Sequence, residues 1–392
     1  MKPYISDKEF TERIKKTQIK MKEDQLDLLL CFASEAEPQF VRYYSNYWPS
    51  FEFAGVLIAQ EGDPILLIGP ESLTYASSIS KIKKIRKLLA FRESSNPEYP
   101  GAILDTFQSI FMKDLSLKSF SRCGIAGFGL ITNLIYNEFD KACLEFGCKE
   151  IIDADYLVSE LRVIKTEAEL ACMREAYRIA NEAMDDVINK IKVGMTENQI
   201  KGIALAKIFE EGGEGEGYPF WILTGEGSNQ AISRCRNKTI QHGDLVQVQV
   251  SARYEGYAST IGRPIVMGTA DPKVRSFIEA GYIVQKELLK IVKPGLPAVE
   301  ISKRHYQVLK ELGYEKNILY GPFHGTGLME GEYPWVEATS TYNLEENMTF
   351  CTCLYLGDDE KKIGFRVEDG IVVTKDGAEM LSNVQSGVIE IH

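Results

Sequence analysis

Near residue 155 the chain changes character, and that change restricts the folds open to it more than any other feature. Thr166-x-x-Glu169 and Thr196-x-x-Gln199 are capping boxes, in which each threonine and its partner three residues on satisfy the first free N–H groups of a helix. Leu170, Met173, Tyr177, Ala180, Met184, Val187 and Ile191 follow the first box at helical spacing. The second box predicts a helix to about Glu210. Strands are expected at about 219–224, 244–254 and 257–267. Asp271-Pro272 opens a third helix that Pro294-Gly295 ends, and Ala298–Leu312 is a fourth. From Tyr320 onward the pattern is again strands and turns. Two helix pairs, each followed by strands, suggest an internal duplication.

Before residue 155 the elements alternate. Phe10, Ile14 and Met21 share one helical face, so 7–24 reads as an amphipathic helix, although Thr17 and Gln18 interrupt the stripe. Leu26–Phe32, Ala54–Gln60, Pro64–Gly69, Cys123–Gly127 and Glu150–Ile152 have strand length, and Glu61-Gly62-Asp63 marks a hairpin. The basic run Lys81 to Lys87 is expected on a solvated helix face. The resulting division is a smaller α/β domain over 1–155 and a larger α+β domain over 156–392.

Lys plus Arg number 45 and Asp plus Glu 56, a net charge of −11, which argues against a nucleic-acid partner. Eight cysteines contain no C-x-x-C pair, and reduced buried thiols are the expectation. The polar N-terminus and the shortness of the apolar runs predict no membrane association and a cytoplasmic protein. Only four histidines are present: His242, His305, His324 and His392.

Several phrases resemble the pita-bread family of aminopeptidase P, prolidase, methionine aminopeptidase and creatinase. They are Leu161-Arg162-Val163-Ile164-Lys165, Gly243-Asp244-Leu245-Val246 with Tyr254-Glu255-Gly256-Tyr257, His324-Gly325-Thr326-Gly327-Leu328 with Glu332 and Pro334, and Gly364-Phe365-Arg366-Val367-Glu368-Asp369. The resemblance implies a C-terminal pita-bread domain of α+β class behind an N-terminal domain of the creatinase/prolidase type. It also implies a homodimer.

Most members hold two metal ions between two aspartates, a histidine and two glutamates. The matching positions here are Gln249, Thr260, His324, Cys353 and Glu368. Two further family histidines fall at Ile232 and Gly331. A dinuclear centre so short of carboxylates leaves two dications poorly compensated. The expectation is therefore a metal-independent, creatinase-like hydrolase of a C–N bond in a small molecule, without a cofactor. Creatine itself is a poor candidate, because creatinase's own catalytic and guanidinium-binding positions fall at Ile232, near Gly262 and at Cys353. In this reading His324 is the acid–base residue, Glu368 its partner and Cys353 a possible nucleophile. Gln249, Thr260, Trp221, Tyr257 and Arg366 contact the substrate.

Alternatives stay open. One zinc ion at His324, Cys353 and Glu368 gives an Xaa-Pro-peptidase-like hydrolase. A catalytically inactive module binding a ligand or protein is another. Cys353 is then an inert strand residue beside Cys351, and the aromatics are core. Arg263 and Arg366 bind an anion or pair with structural acids. The glycine- and glutamate-rich stretch 211–217 is a loop, either a lid or a solvated connection.

Overall fold

The computed structural model describes residues 2–392, and its contacts divide them into two units. One is Ile5–Arg162; the other is Val163–His392 together with the first residues up to Tyr4.

In the first unit six strands form one sheet, in the order Ile85–Lys87, Ile65–Ile68, Ala54–Ala59, Leu28–Ala33, Arg122–Ala126, Glu150–Asp153. The central strands read as continuous apolar runs because both faces are covered; every residue of Leu28–Ala33 and Ala54–Ala59 is buried. The helix Asp7–Glu23 starts at Ser6, whose side chain accepts from Glu9 N–H. Thr17, which breaks the apolar stripe, is fully buried all the same. Its hydroxyl reaches the Arg13 carbonyl at 2.9 Å and the Tyr44 hydroxyl at 2.8 Å, so burial leaves no polar atom unpaired. The basic run is not a helix face. Its second half is the edge strand Ile85–Lys87, where Arg86 holds Asp114 through two bonds of 2.8 and 2.5 Å.

In the second unit both capping boxes form as the sequence spells them, opening Glu167–Lys190 and Glu197–Glu210. Asp271 caps Pro272–Leu289, with proline in the first turn. Ala298–Glu311 completes the second helix pair. Apolar side chains of these last two helices, among them Ile278, Val284, Leu288 and Ile301, form a core with Phe323, Phe350, Phe365 and Ile371 of the strands.

The expected strands 244–254 and 257–267 are each broken in two. Leu245–Val250 is followed by Ala252–Tyr254, and Tyr257–Ala258 by Ile261–Met267. The breaks fall at Ser251 and Ser259, whose hydroxyls hydrogen-bond the backbone across the hairpin. Part of the stretch 211–217 is also ordered by pairing: Gly215–Glu216 lies antiparallel to Ala252 and Arg253. No helix among the described residues is long and apolar enough to cross a membrane.

Candidate functional site

Three strands meet around Gly262. On one side Gly262 stands opposite Gln249 in the antiparallel pair of Leu245–Val250 with Ile261–Met267. On the other it exchanges backbone bonds with Glu368, at 3.0 and 3.2 Å. A Cβ at Gly262 would lie 3.0 Å from that of Glu368, so a larger residue there would force Glu368 to shift. Gln249 and Glu368 thus flank one residue, and Gln249 Nε2 donates to Glu368 Oε2 at 2.6 Å. Thr260, at the strand break, donates to the same oxygen at 3.4 Å, and Tyr218 lies 3.3 Å from the threonine hydroxyl.

A second sheet brings the histidine. His324 lies between Trp335 and Cys351 as cross-strand neighbours. Beyond Cys351 the backbone leaves the strand and is held to Asp369, with Thr352 N–H donating to the Asp369 carbonyl at 2.8 Å. Cys353 therefore arrives beside Glu368, and its thiol donates to Oε1 at 2.8 Å. The sulfur and nitrogen atoms of His324, Cys351 and Cys353 all lie within 4.8 Å of one another. Every residue of this cluster is buried.

The electrostatics are those of closely spaced titratable groups out of water. Cys353 is pulled well below the ordinary thiol range, first by its hydrogen bond with Cys351 and then by His324, against the cost of burial. Burial and then the neighbouring Cys353 push Cys351 up. Burial and the negative charge of Cys353 push Glu368 well above the carboxylate range. Together these shifts move the proton shared by Cys353 and Glu368 from sulfur toward the carboxylate. Burial opposes a charged His324, yet Glu330 and Cys353 outweigh it and raise its affinity for a proton.

The five motif positions Gln249, Thr260, His324, Cys353 and Glu368 therefore converge. The expected pairing of Glu368 with His324 is different in the structure. The carboxylate facing the imidazole is Glu330, 3.3 Å from Nε2, while Nδ1 lies 3.0 Å from the Gly325 carbonyl. Glu368 faces Gln249, Thr260, Cys353 and Arg366 instead.

Arg366 lies 3.1 Å from Glu368 Oε1, donates to Gln247 and to Tyr320, and packs against Trp221, Tyr320 and Tyr355. Trp221 borders the cluster with an unpartnered Nε1. Tyr257 is directed elsewhere: its hydroxyl donates to Glu169 at 2.8 Å, in the capping box of the long helix. Arg263 is structural, bonded to Asp369 at 2.7 Å and to four backbone carbonyls.

Sequence reasoning missed Glu330, Tyr218, Tyr320 and the part played by Cys351. Tyr320 lies 3.2 Å from the Cys353 sulfur. Only the C-x-C spacing of Cys351 and Cys353 was a usable signal.

Comparison with known proteins places this architecture. Residues 171–375, more than half of the chain, match the metallopeptidase family M24. The chain belongs to that family, and its fold is the pita-bread fold behind an N-terminal domain. It is 28% identical to the Xaa-Pro dipeptidase of Pyrococcus furiosus, over 95% of this chain and 98% of that one. The prolidase of Pyrococcus horikoshii superposes with a TM-score of 0.80 at 24% identity, covering 95% of this chain and 99% of that one. An X-Pro aminopeptidase from Thermotoga maritima gives 0.82 at 20% identity, over 96% and 99%.

Two expectations are corrected by this. A metal-independent, creatinase-like hydrolase does not agree with a family of metallopeptidases and a relative that is an Xaa-Pro dipeptidase along nearly its whole length. The expectation of no cofactor falls with it. Its premise was a count of carboxylates, which weighs only against hard cations held by charged oxygen. Two thiols and an imidazole within 4.8 Å form a donor set of the other kind, suited to a soft ion. The buried Gln249 Oε1, which has no hydrogen-bond partner, adds a neutral oxygen beside Glu368.

Proposed function

We propose that the chain is an M24 hydrolase of peptide-like amide bonds, of the Xaa-Pro dipeptidase kind, working with one zinc-like ion. The observation that carries this reading is the convergence of His324, Cys351 and Cys353 next to Glu368. The resemblance puts Gln249, Thr260 and Cys353 where relatives of this fold use carboxylates. That replacement supports a single soft ion over a carboxylate-bridged pair.

His324, Cys351 and Cys353 would hold the ion. When bound, such an ion supplies Lewis acidity to an amide carbonyl or to water. The remaining work falls to side chains. Glu368, its proton affinity raised by burial, holds a proton at Oε1 for the departing amine. Gln249 and Thr260 fix the second carboxylate oxygen. Glu330 orients the imidazole of His324. Arg366, locked by Gln247 and Tyr320, keeps the carboxylate in place. The unpaired Trp221 Nε1 and Gln249 Oε1 are a donor and an acceptor available to a bound amide.

The test is hydrolysis of a panel of Xaa-Pro dipeptides by zinc-loaded and chelator-treated protein, with metal content measured in parallel. The reading expects one zinc held by the His324 cluster and lost in Cys353→Ser, with cleavage that disappears on chelation and in that variant. Cleavage that persists in metal-free protein, or two ions per chain bound in Cys353→Ser, would overturn it.

A further inference from the structure

Far along the sequence from that cluster, the first unit gathers three cysteines of its own. Cys123 lies on the strand Arg122–Ala126, Cys143 in the last turn of the helix Asn133–Glu145, and Cys148 just before the strand Glu150–Asp153. Two of them are set by the way the helix ends. Gly147 has a φ of +85°, the Cys148 N–H bonds the Cys143 carbonyl at 3.0 Å, and the Gly147 N–H bonds that of Leu144 at 3.0 Å. This is a Schellman turn, which brings the side chains at its two outer positions together. Here both of those side chains are thiols. The strand that carries Cys123 pairs residue for residue with Glu150–Asp153, setting the third thiol against them.

The resulting spacing is that of ligands. The Cys123 sulfur lies 3.9 Å from that of Cys143 and 3.6 Å from that of Cys148, and all three are within 4.8 Å of one another. Thiolates held about 2.3 Å from one shared ion lie about 3.8 Å apart in a tetrahedral site and about 4.0 Å apart in a trigonal one. A disulfide needs its sulfurs about 2.05 Å apart and employs only two of the three. A cavity of about 90 Å³ adjoins Cys143 and Cys148 and is also bordered by Asp140, Lys149 and Glu150. It offers room for a fourth ligand and has a lysine on its wall to offset the charge of a thiolate cluster.

We infer that Cys123, Cys143 and Cys148 form a second binding site, for one thiophilic d10 cation of the copper(I), zinc or cadmium class. Soft thiolate sets select such ions over hard ones. Binding breaks three S–H bonds and forms three metal–sulfur bonds, releasing three protons to solvent with no change of oxidation state.

The experiment titrates cadmium into the reduced, metal-free full chain and follows the thiolate-to-cadmium charge-transfer band. The parent and a Cys235→Ser control are expected to bind an equivalent that Cys148→Ser and Cys143→Ala lose, each variant keeping its circular dichroism. Repeating the titration in a Cys351→Ser/Cys353→Ser background keeps this site apart from the proposed catalytic one, and the equivalent should persist there. Equal stoichiometry and affinity in parent, Cys148→Ser and Cys143→Ala would overturn the site. So would loss of all cadmium binding in the Cys351→Ser/Cys353→Ser background, or a Cys123–Cys148 disulfide with no cadmium uptake after reduction.

Discussion

Glu368 meets Gln249, Thr260, Cys353 and Arg366 through two oxygens, so its charge and its geometry can be separated by substitution. Glu368→Gln keeps the shape and most of the bonds but cannot hand over a proton. General acid–base groups contribute about 100- to 10,000-fold, so kcat on an Xaa-Pro substrate should fall by at least about 100-fold while KM changes little. A variant of undiminished kcat would remove Glu368 from the proton path. His305 provides a different handle. It is buried in the helix Ala298–Glu311, and burial lowers its pKa to about 4. The unfolded chain binds a proton near pH 6.5 and the folded chain only near 4. Its contribution to stability is therefore complete above about pH 6.5 and is lost as pH falls toward 4. The full effect is on the order of 3 kcal/mol. His305→Leu should flatten the fall in unfolding free energy between pH 7 and 5, measured by urea denaturation. An unchanged slope would show that other groups set it. At this scale the five motif positions were legible because each sits in a phrase of fixed order. Glu330, Tyr218 and Tyr320 were not, because they come from connecting segments that carry no pattern. Tyr257 was misplaced because a hydroxyl's direction depends on its partner, here Glu169.

Among the elements, the capping boxes were the most legible features and also do more than begin helices. Thr166 and Glu169 bond reciprocally, with the Glu169 carboxylate accepting the Thr166 N–H at 2.8 Å. The same carboxylate accepts the buried Tyr257 hydroxyl, tying the helix to the strand that precedes Thr260. Thr166→Ala should cost about 1 kcal/mol, the usual loss for a cap. Glu169→Ala removes a hydrogen bond of the buried Tyr257 hydroxyl as well as one of a cap N–H and should cost about 2–3 kcal/mol. Chemical denaturation of the two variants checks the order, and equal losses would mean the Tyr257 bond contributes nothing. The strand breaks at Ser251 and Ser259 could not be read ahead. A run of apolar alternation gives no sign of where side-chain hydroxyls will replace ladder bonds. Those breaks place Thr260 outside its strand, within reach of Glu368. The three cysteines of the first unit were hidden for a similar reason. Their spacing in sequence matches no metal motif, and only the helix-ending turn and a strand pairing bring them together.

At the scale of the whole molecule, the proposed ion couples local chemistry to global stability. A ligand that binds only the folded chain stabilises it by RT ln(1 + [L]/Kd), about 2.7 kcal/mol at 100 times Kd. The unfolding transition of the Val163–His392 unit should therefore rise with zinc concentration. Its site draws on the strands Phe323–Gly325 and Thr349–Cys351 and on the segment after them, so none of it exists before that unit folds. Cys353→Ser should remove most of the zinc dependence of that transition. Cys148→Ser, in the other unit, should leave it intact. Calorimetry of the three proteins at several zinc concentrations separates the two. A transition of Val163–His392 that ignores zinc, or one that responds equally in Cys353→Ser, would show that the thiol cluster beside Glu368 holds no ion. The four histidines, and a resemblance that matches Gln249, Thr260 and Cys353 to carboxylate positions, pointed away from metal. Two thiols two residues apart, folded opposite a histidine, restore a donor set that no count of acids could register.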